Sequence, residues 1–270
     1  MRLPLHRSAV LTALWLSGAL LAVPALAAAA ADAWCREDGG DSRPRHCEVR
    51  ETTFRPGSAL SVDARPNGGI EVVRGDGPEV RLKAKVVATA ESEAEASDLA
   101  REVRIETGET VRAVGPATTG QRRGYWVSFR LEVPRGVRLN LQADNGGISL
   151  HGFSGAAELH TVNGGLHLSG VSGDVHGETV NGGVHVSLSG TRWEGEGLRL
   201  RTTNGGLHVE VPSGYNARLE VSTVNGGIHS DIPLTTKRRW TGGRIETDLG
   251  QGGAPVRIET TNGGLHLTQG

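Results

Sequence analysis

Apolar and polar residues alternate in short bursts along most of this chain. Ile148-Ser149-Leu150, Leu166-His167-Leu168 and Val184-His185-Val186 fall in register when the sequence is offset by 18 residues. A period of two is the pattern of a strand with one buried face. Each burst follows the triplet Asn-Gly-Gly, which occurs at Asn67, Asn145, Asn163, Asn181, Asn204, Asn225 and Asn262. From Asn145 onward the intervals are 18, 18, 23, 21 and 37 residues, and recurrence at near-fixed spacing marks a stacked repeat. A second glycine-bearing turn follows in Phe153-Ser154-Gly155, Val171-Ser172-Gly173 and Leu188-Ser189-Gly190, so each unit reads as two short strands and two turns.

One such unit cannot bury its apolar column alone, and neighbours must stack to close a core. The expectation is an all-β protein, a β-solenoid of stacked 18–23-residue coils with Asn-Gly-Gly corners and one short inserted helix. Six or seven coils spaced about 4.8 Å apart would make a rod of roughly 30 Å. The glycines are expected where the backbone needs a positive φ or a close approach, and stacked asparagines can bond to one another along the rod. In the long final interval, Thr241-Gly242-Gly243-Arg244-Ile245 reads as a degenerate copy. The last coil is expected to leave an edge open to a partner's strand or to self-association. Between Asn67 and Asn145 lies an insertion. It contains a strand over Val80 to Val87, a helix over Ala90 to Arg104, and a second strand over Val127 to Val133.

The first residues change the setting. Arg2 and Arg7 precede an apolar run from Ala9 to Val23, then Pro24 and an alanine-rich stretch, which is the layout of a secretory signal peptide cleaved after Ala27 or Ala31. No later stretch is apolar enough to span a bilayer, and no translocator or sorting segment follows the repeats. The address that follows is periplasmic or secreted. Cys35 and Cys47 are expected to pair there and tie down the N-terminal segment. The organisation is therefore a signal peptide over 1–31, a disulfide-tied segment over 32–59, a first repeat with inserted helix and strands over 60–140, and the array over 141–270.

Loss of the leader leaves 27 basic against 30 acidic residues, and a near-neutral chain lacks the positive field of a nucleic-acid binder. Three stretches resemble a known family: the Val-Asn-Gly-Gly repeats, Val211-Pro212-Ser213-Gly214-Tyr215-Asn216-Ala217, and the run from Gly250 to Ile258. Together they are similar to the bacterial candidate-adhesin β-strand-repeat proteins, a domain of unknown function whose relatives include Lia-type cell-envelope stress proteins. The likeness runs from about Leu60 to the C-terminus. With the repeats, the expectation is a non-catalytic binding or structural module of the cell envelope, adhesin-like or linked to envelope stress, whose partner is an unidentified envelope protein, peptide or glycan. The likeness implies no catalytic residues and no cofactor. This chain departs from the pattern in its histidines.

His167, His185, His208, His229 and His266 occupy one column, with Ser149 and Glu71 at the matching position of other copies. Alternation places that column opposite the core. Imidazoles on successive coils are candidate ligands for Zn²⁺ or Cu²⁺, although no acidic residue or cysteine recurs beside them. The plainer reading is a solvent-facing position copied by duplication. A third is a pH response, since two charges about 5 Å apart in water repel by about 0.8 kcal/mol. The 18-residue offset also sets His160 opposite Glu178 and His176 opposite Glu158. Ser154, Ser172 and Ser189 recur at a turn and lack a nucleophile elbow. A glycan-active β-helix enzyme, the remaining alternative, would need a cluster of acids and bases that breaks the repeat. Arg74-Gly75-Asp76 reads as an ordinary turn. Lys237, Arg238, Arg239 and Trp240 form the densest basic run and read as a solvated loop or as a candidate contact to anionic envelope polymers or phospholipid headgroups. Trp126 and Trp193 read as covers of the core.

Overall fold

The computed structural model describes residues 33–36, 43–117, 123–232 and 243–270. The predicted signal peptide and the Lys237–Trp240 run lie outside the described residues. In chain order the first strands are β1 (Arg45–Phe54), β2 (Ala59–Asp63), β3 (Ile70–Arg74), β4 (Val80–Thr89), β5 (Arg104–Glu106), β6 (Thr110–Val114) and β7 (Gly124–Val133). Next come β8 (Arg138–Ala143), β9 (Ile148–His151), β10 (Ser154–Thr161), β11 (Leu166–Ser169), β12 (Ser172–Asn181), β13 (Val184–Ser187) and β14 (Gly197–Asn204). The last are β15 (Leu207–Val211), β16 (Ala217–Asn225), β17 (Ile228–Ser230), β18 (Arg244–Leu249), β19 (Pro255–Asn262) and β20 (Leu265–Gln269).

These strands form two ten-stranded sheets, rich in parallel pairing, whose inward faces share one apolar core. The first sheet runs β1-β4-β7-β3-β9-β11-β13-β15-β20-β17, and the second runs β18-β16-β19-β14-β12-β10-β8-β2-β6-β5. The chain passes from the second sheet to the first through each Asn-Gly-Gly, as from β14 through Gly205 and Gly206 into β15. The predicted helix is shorter than its alanine-rich stretch and spans Glu93–Glu102. Ser92 caps it by accepting from the Glu95 amide, and Ala96, Leu99 and Ala100 turn inward against β1 and β4.

Among the Asn-Gly-Gly units, spatial order departs from chain order at one place. β19 lies between β14 and β16, and β20 lies between β15 and β17. The Asn262 unit therefore slots between the Asn204 and Asn225 units, and the last triplet has a neighbour on both sides. The open edge expected at the final coil is not there; the edge strands are β17 and β18 at this end, β1 and β5 at the other. Among its described residues the long final interval holds no further copy of the repeat, and Thr241 and Gly242 of the expected copy lie outside them. Arg244 and Ile245 instead open β18, which runs antiparallel to β16. Charged Arg244, Glu246 and Asp248 alternate along that edge, a common way to blunt unwanted pairing.

A second expectation also needs correcting. Ser154 and Ser172 do pair, through a hydroxyl contact of 2.9 Å, but Ser189-Gly190 is not their counterpart in the next unit. That place is taken by Trp193-Glu194-Gly195: the Glu194 carbonyl accepts from the Gly173 amide, and Trp193 Nε1 donates to the Gly173 carbonyl at 3.0 Å. Of the five residues by which this interval exceeds 18, four precede this turn and the fifth, Glu196, falls between Gly195 and the start of β14 at Gly197.

Candidate functional site

The asparagine side chains form one continuous ladder. Each Nδ2 donates to the next Oδ1 at 2.8–3.0 Å in the order Asn225, Asn262, Asn204, Asn181, Asn163, Asn145, Asn67. Behind it runs a second ladder that sequence reasoning missed. Thr161, Thr179, Thr202, Thr260 and Thr223 are buried, and each hydroxyl donates to the first-glycine carbonyl of the neighbouring triplet at 2.7–2.9 Å. Its signal is a threonine two residues before the asparagine in five of the seven copies. Satisfying a buried carbonyl and a buried hydroxyl together removes two desolvation costs at once.

From the Asn145 unit onward the first glycine of each triplet is dictated by approach, not by φ. From Gly146 to Gly263 these residues have no positive φ, yet a Cβ on any of them would overlap the carbonyl of the neighbouring unit. Position two in the triplet is roomier, and a Cβ on Gly206 would stand 3.6 Å from the Gly264 oxygen.

With the backbone so constrained, the outward face of the first sheet carries the candidate site. Strand register lines up ten residues in one row: Glu51, Lys83, Arg130, Glu71, Ser149, His167, His185, His208, His266 and His229. The structure thus brings the five predicted histidines together, and the slotted Asn262 unit makes them contiguous by placing His266 between His208 and His229. Rings of His185 and His208 stack with centroids 4.7 Å apart and planes within 8°. His167 stacks on His185 at 6.1 Å, and His229 tilts against His266 at 5.9 Å. Burial, followed by the neighbouring His208 and His167, lowers the pKa of His185 from its usual value, with Glu210 opposing.

Imidazole lone pairs lie in the ring plane, so the parallel His185 and His208 rings would have to rotate before both met one ion. Among the described residues no group of three or more His, Cys, Asp or Glu is arranged to hold a metal.

The other end of the row is built differently. Lys83 pairs with Glu51 at 2.8 Å and Arg130 with Glu71 at 2.7 Å. Trp34 packs its ring over the Arg130 guanidinium at 4.1 Å and the Lys85 ammonium at 5.1 Å. A disulfide between Cys35 and Cys47 fastens this tryptophan to β1. The result is a groove of about 590 Å³ walled by Trp34 and floored by β1, β4, β7 and β3. The sequence showed the disulfide but not the tryptophan cover.

The second sheet faces outward with a different chemistry. Glu158 sits opposite His176 and His160 opposite Glu178, in the predicted register. The recorded partner of His176 is Asp174 on its own strand, at 3.1 Å. Further along, Glu220 is nearly buried and is held by Arg257 at 2.6 Å and Arg218 at 3.1 Å. Burial pushes its pKa up, but those arginines outweigh it and keep the carboxyl below its usual range. The Arg74 and Asp76 side chains of the turn tripeptide bond to each other at 3.4 Å. Trp193 is buried in the core, while Trp126 on β7 is half-buried.

No curated protein matches the chain. Among solved structures, a candidate cell adhesion protein from Clostridium sporogenes ATCC 15579 is similar at 10% identity with a TM-score of 0.47, over 83% of this chain and 100% of that one. A candidate adhesin from Bacteroides fragilis NCTC 9343 is similar at 8% identity with a TM-score of 0.33, over 82% of this chain and 97% of that one. The sequence pattern of one family, Toastrack DUF4097, matches residues 68–268, three quarters of the chain and all seven of its Asn-Gly-Gly units but for the first asparagine. With that span matched, the chain belongs to the Toastrack DUF4097 family.

Proposed function

We propose that this protein is an extracytoplasmic β-solenoid that recognises an extended partner in the cell envelope along its outward histidine row, and that it is not a catalyst. The carrying observation is the constancy of one exposed column beside columns that have drifted. Two residues further along the same strands, the outward positions read Ser169, Ser187, Glu210, Thr268 and Asp231. On the other sheet one outward row reads Glu158, His176, Arg199, Arg257 and Glu220. Duplication copies every column alike, so plain descent from a repeat would leave the histidines as scattered as their neighbours. Five retained imidazoles at an exposed position, with no backbone duty, point to use.

The compartment rests on the leader-like N-terminus over 1–31 and on the disulfide, which belongs in an oxidising space. The non-catalytic reading rests on how the perturbed groups are held. Glu220 and Glu48 are kept charged by arginines against the effect of burial, and Asp63 by Arg65, while the Tyr215 hydroxyl is pushed up to about 12 by burial. These are arrangements that fix structure, not groups poised to move protons. The test is crosslinking capture from intact envelopes, with the mature chain beside a variant in which the five ladder histidines become serine. Capture by the first and not the second is the expected result. Equal capture would remove the row from the recognition surface.

A further inference from the structure

We propose that the five-imidazole row is an acid-gated strip for a linear polyanion, a polymer bearing phosphate, sulfate or carboxylate groups, laid along the stack across the strands. The proposal rests on the recognition reading above and names the chemistry of the partner. Its first support is geometric. His167, His185, His208, His266 and His229 hold the same register position on five adjacent parallel strands. With strands about 4.8 Å apart, they make a straight line of roughly 19 Å, one side chain wide. A line of that shape suits a single extended chain better than a flat membrane surface.

The second support is the charge that acid would place there. The outward positions flanking the row are Ser149 and His151 from β9, Ser169 from β11, Ser187 from β13, Glu210 from β15, Thr268 from β20, and Asp231 just after β17. Glu71 on β3 borders the row and is neutralised by Arg130. Asp231 lies 3.1 Å from His229, and Glu210 accepts from the Ser187 hydroxyl at 3.0 Å. With imidazoles neutral, the face carries two uncompensated carboxylates, Glu210 and Asp231. With six imidazoles protonated, counting His151, it carries four net positive charges. Acid therefore inverts the sign of the face.

The third support is linkage. Adjacent imidazolium groups repel, which resists protonation of the bare row; the pKa of His185 is lowered by burial first and then by His208 and His167 in that sense. A polyanion that threads along the row removes that repulsion, so binding takes up protons and tightens as pH falls. The second sheet serves as the contrast, because its His160 and His176 alternate with Glu158 and Glu178. Protonation there cancels charge.

The experiment uses the mature chain with its disulfide intact and a fluorescein-labelled heparin oligosaccharide, read by anisotropy at constant ionic strength. Affinity is expected to rise about tenfold or more between pH 7.5 and pH 5.5, the scale set by a few linked protons. It should also fall steeply with salt. Replacing His167, His185, His208, His266 and His229 by Gln is expected to abolish the tightening, and His160→Gln with His176→Gln to preserve it; thermal melts check that each variant folds. Equal affinity at both pH values, tightening that survives the five substitutions, or tightening lost with the two would each overturn the proposal. So would acid-dependent binding to phosphatidylglycerol vesicles without binding to heparin, which would make the face a membrane contact. If heparin fails while envelope capture still depends on the row, only the polyanion is discarded; if both fail, the recognition reading falls as well.

Discussion

Gly205 and Gly206 are neighbours in one triplet, in one unit, and neither has a positive φ. Their alanine variants should nonetheless behave oppositely. A Cβ on Gly205 would overlap the Gly182 carbonyl oxygen and stand 2.5 Å from its carbon, where ordinary contact begins near 3.4 Å. Both partners are backbone, so the two units must part by at least about 0.9 Å, the difference of those distances, and by more to clear the oxygen. Hydrogen bonds made at the triplet across that seam include Thr202 Oγ1 to Gly182 O at 2.8 Å, Gly182 N to Asn204 O at 3.0 Å, Val184 N to Gly206 O at 2.9 Å and Asn204 Nδ2 to Asn181 Oδ1 at 2.9 Å. At about 1 kcal/mol each, with a further ~1 kcal/mol or more for a buried Thr202 hydroxyl left without a partner, Gly205→Ala should cost about 3–5 kcal/mol. Gly206→Ala meets only ordinary contact and restricts the unfolded chain, so it should lie between neutral and about 1 kcal/mol stabilising. Urea denaturation of the two variants beside the parent reads the difference directly, and for a chain of this size Gly205→Ala should also melt roughly 10 °C lower. Two variants within about 0.5 kcal/mol of each other would refute the close-approach account and return the glycines to a conformational role.

Four further outcomes follow from the same structure. Thr202→Val should cost about 1 kcal/mol by urea denaturation, because it strips the donor from the Gly182 carbonyl, whereas exposed Thr203→Val should cost nearly nothing. Replacing Cys35 and Cys47 by serine should cost about 3 kcal/mol in the chain-entropy account and red-shift tryptophan emission as Trp34 loses its tether; an unchanged spectrum would mean that packing on Arg130 alone holds the ring. Ending the chain after Leu249 removes β19 and β20, leaving β14, β15, β16 and β17 each short of a neighbour, and should give loss of cooperative melting with self-association in sedimentation. His185 titrates below its usual value in the fold, so the unfolded chain binds the proton first as pH drops through 6.5. The contribution is present above that pH and shrinks below it, and melts at pH 7.5 and 5.5 should show a smaller acid loss for His185→Ser than for the parent.

Most of the fold was legible because one constraint repeats. Alternation around each triplet identified the strands that carry Ile148, Leu166 and Val184, and the 18-residue offset correctly paired Glu158 with His176. It failed where the repeat changes length. The loop before Trp193 hid the shift of the Ser-Gly turn to Glu194-Gly195, because Leu188-Ser189-Gly190 has the same composition as the turn it imitates. Thr202 went unremarked because threonine is ordinary in strands, and only its burial against Gly182 reveals its task. Trp34 was invisible for a different reason: its partners Lys85 and Arg130 are far away in sequence and come together only through the antiparallel pairing of β4 with β7.

The order of the units was unreadable in principle, and that ambiguity bears on the candidate site. The five units from Asn163 onward present the same asparagine, glycine and threonine contacts to whichever unit lies beside them, so the stacking chemistry does not say which follows which. What decides is the connection. After β17 the chain returns as β18, antiparallel on the far side of β16, and the turn from Gly250 to Ala254 then carries it back across to the near side. The space next to β16 and β18 is thereby closed, and the last unit takes the place between β14 and β16. Had it simply stacked at the end, His266 would sit beyond His229 and the row would have the same length but a bare terminal edge. Slotting keeps five imidazoles in line and ends the stack with a short three-residue strand and a charged antiparallel one. An arrangement that preserves the row and leaves only a short strand and a charged one at the tip fits the proposed recognition along the side of the stack better than strand addition at its tip.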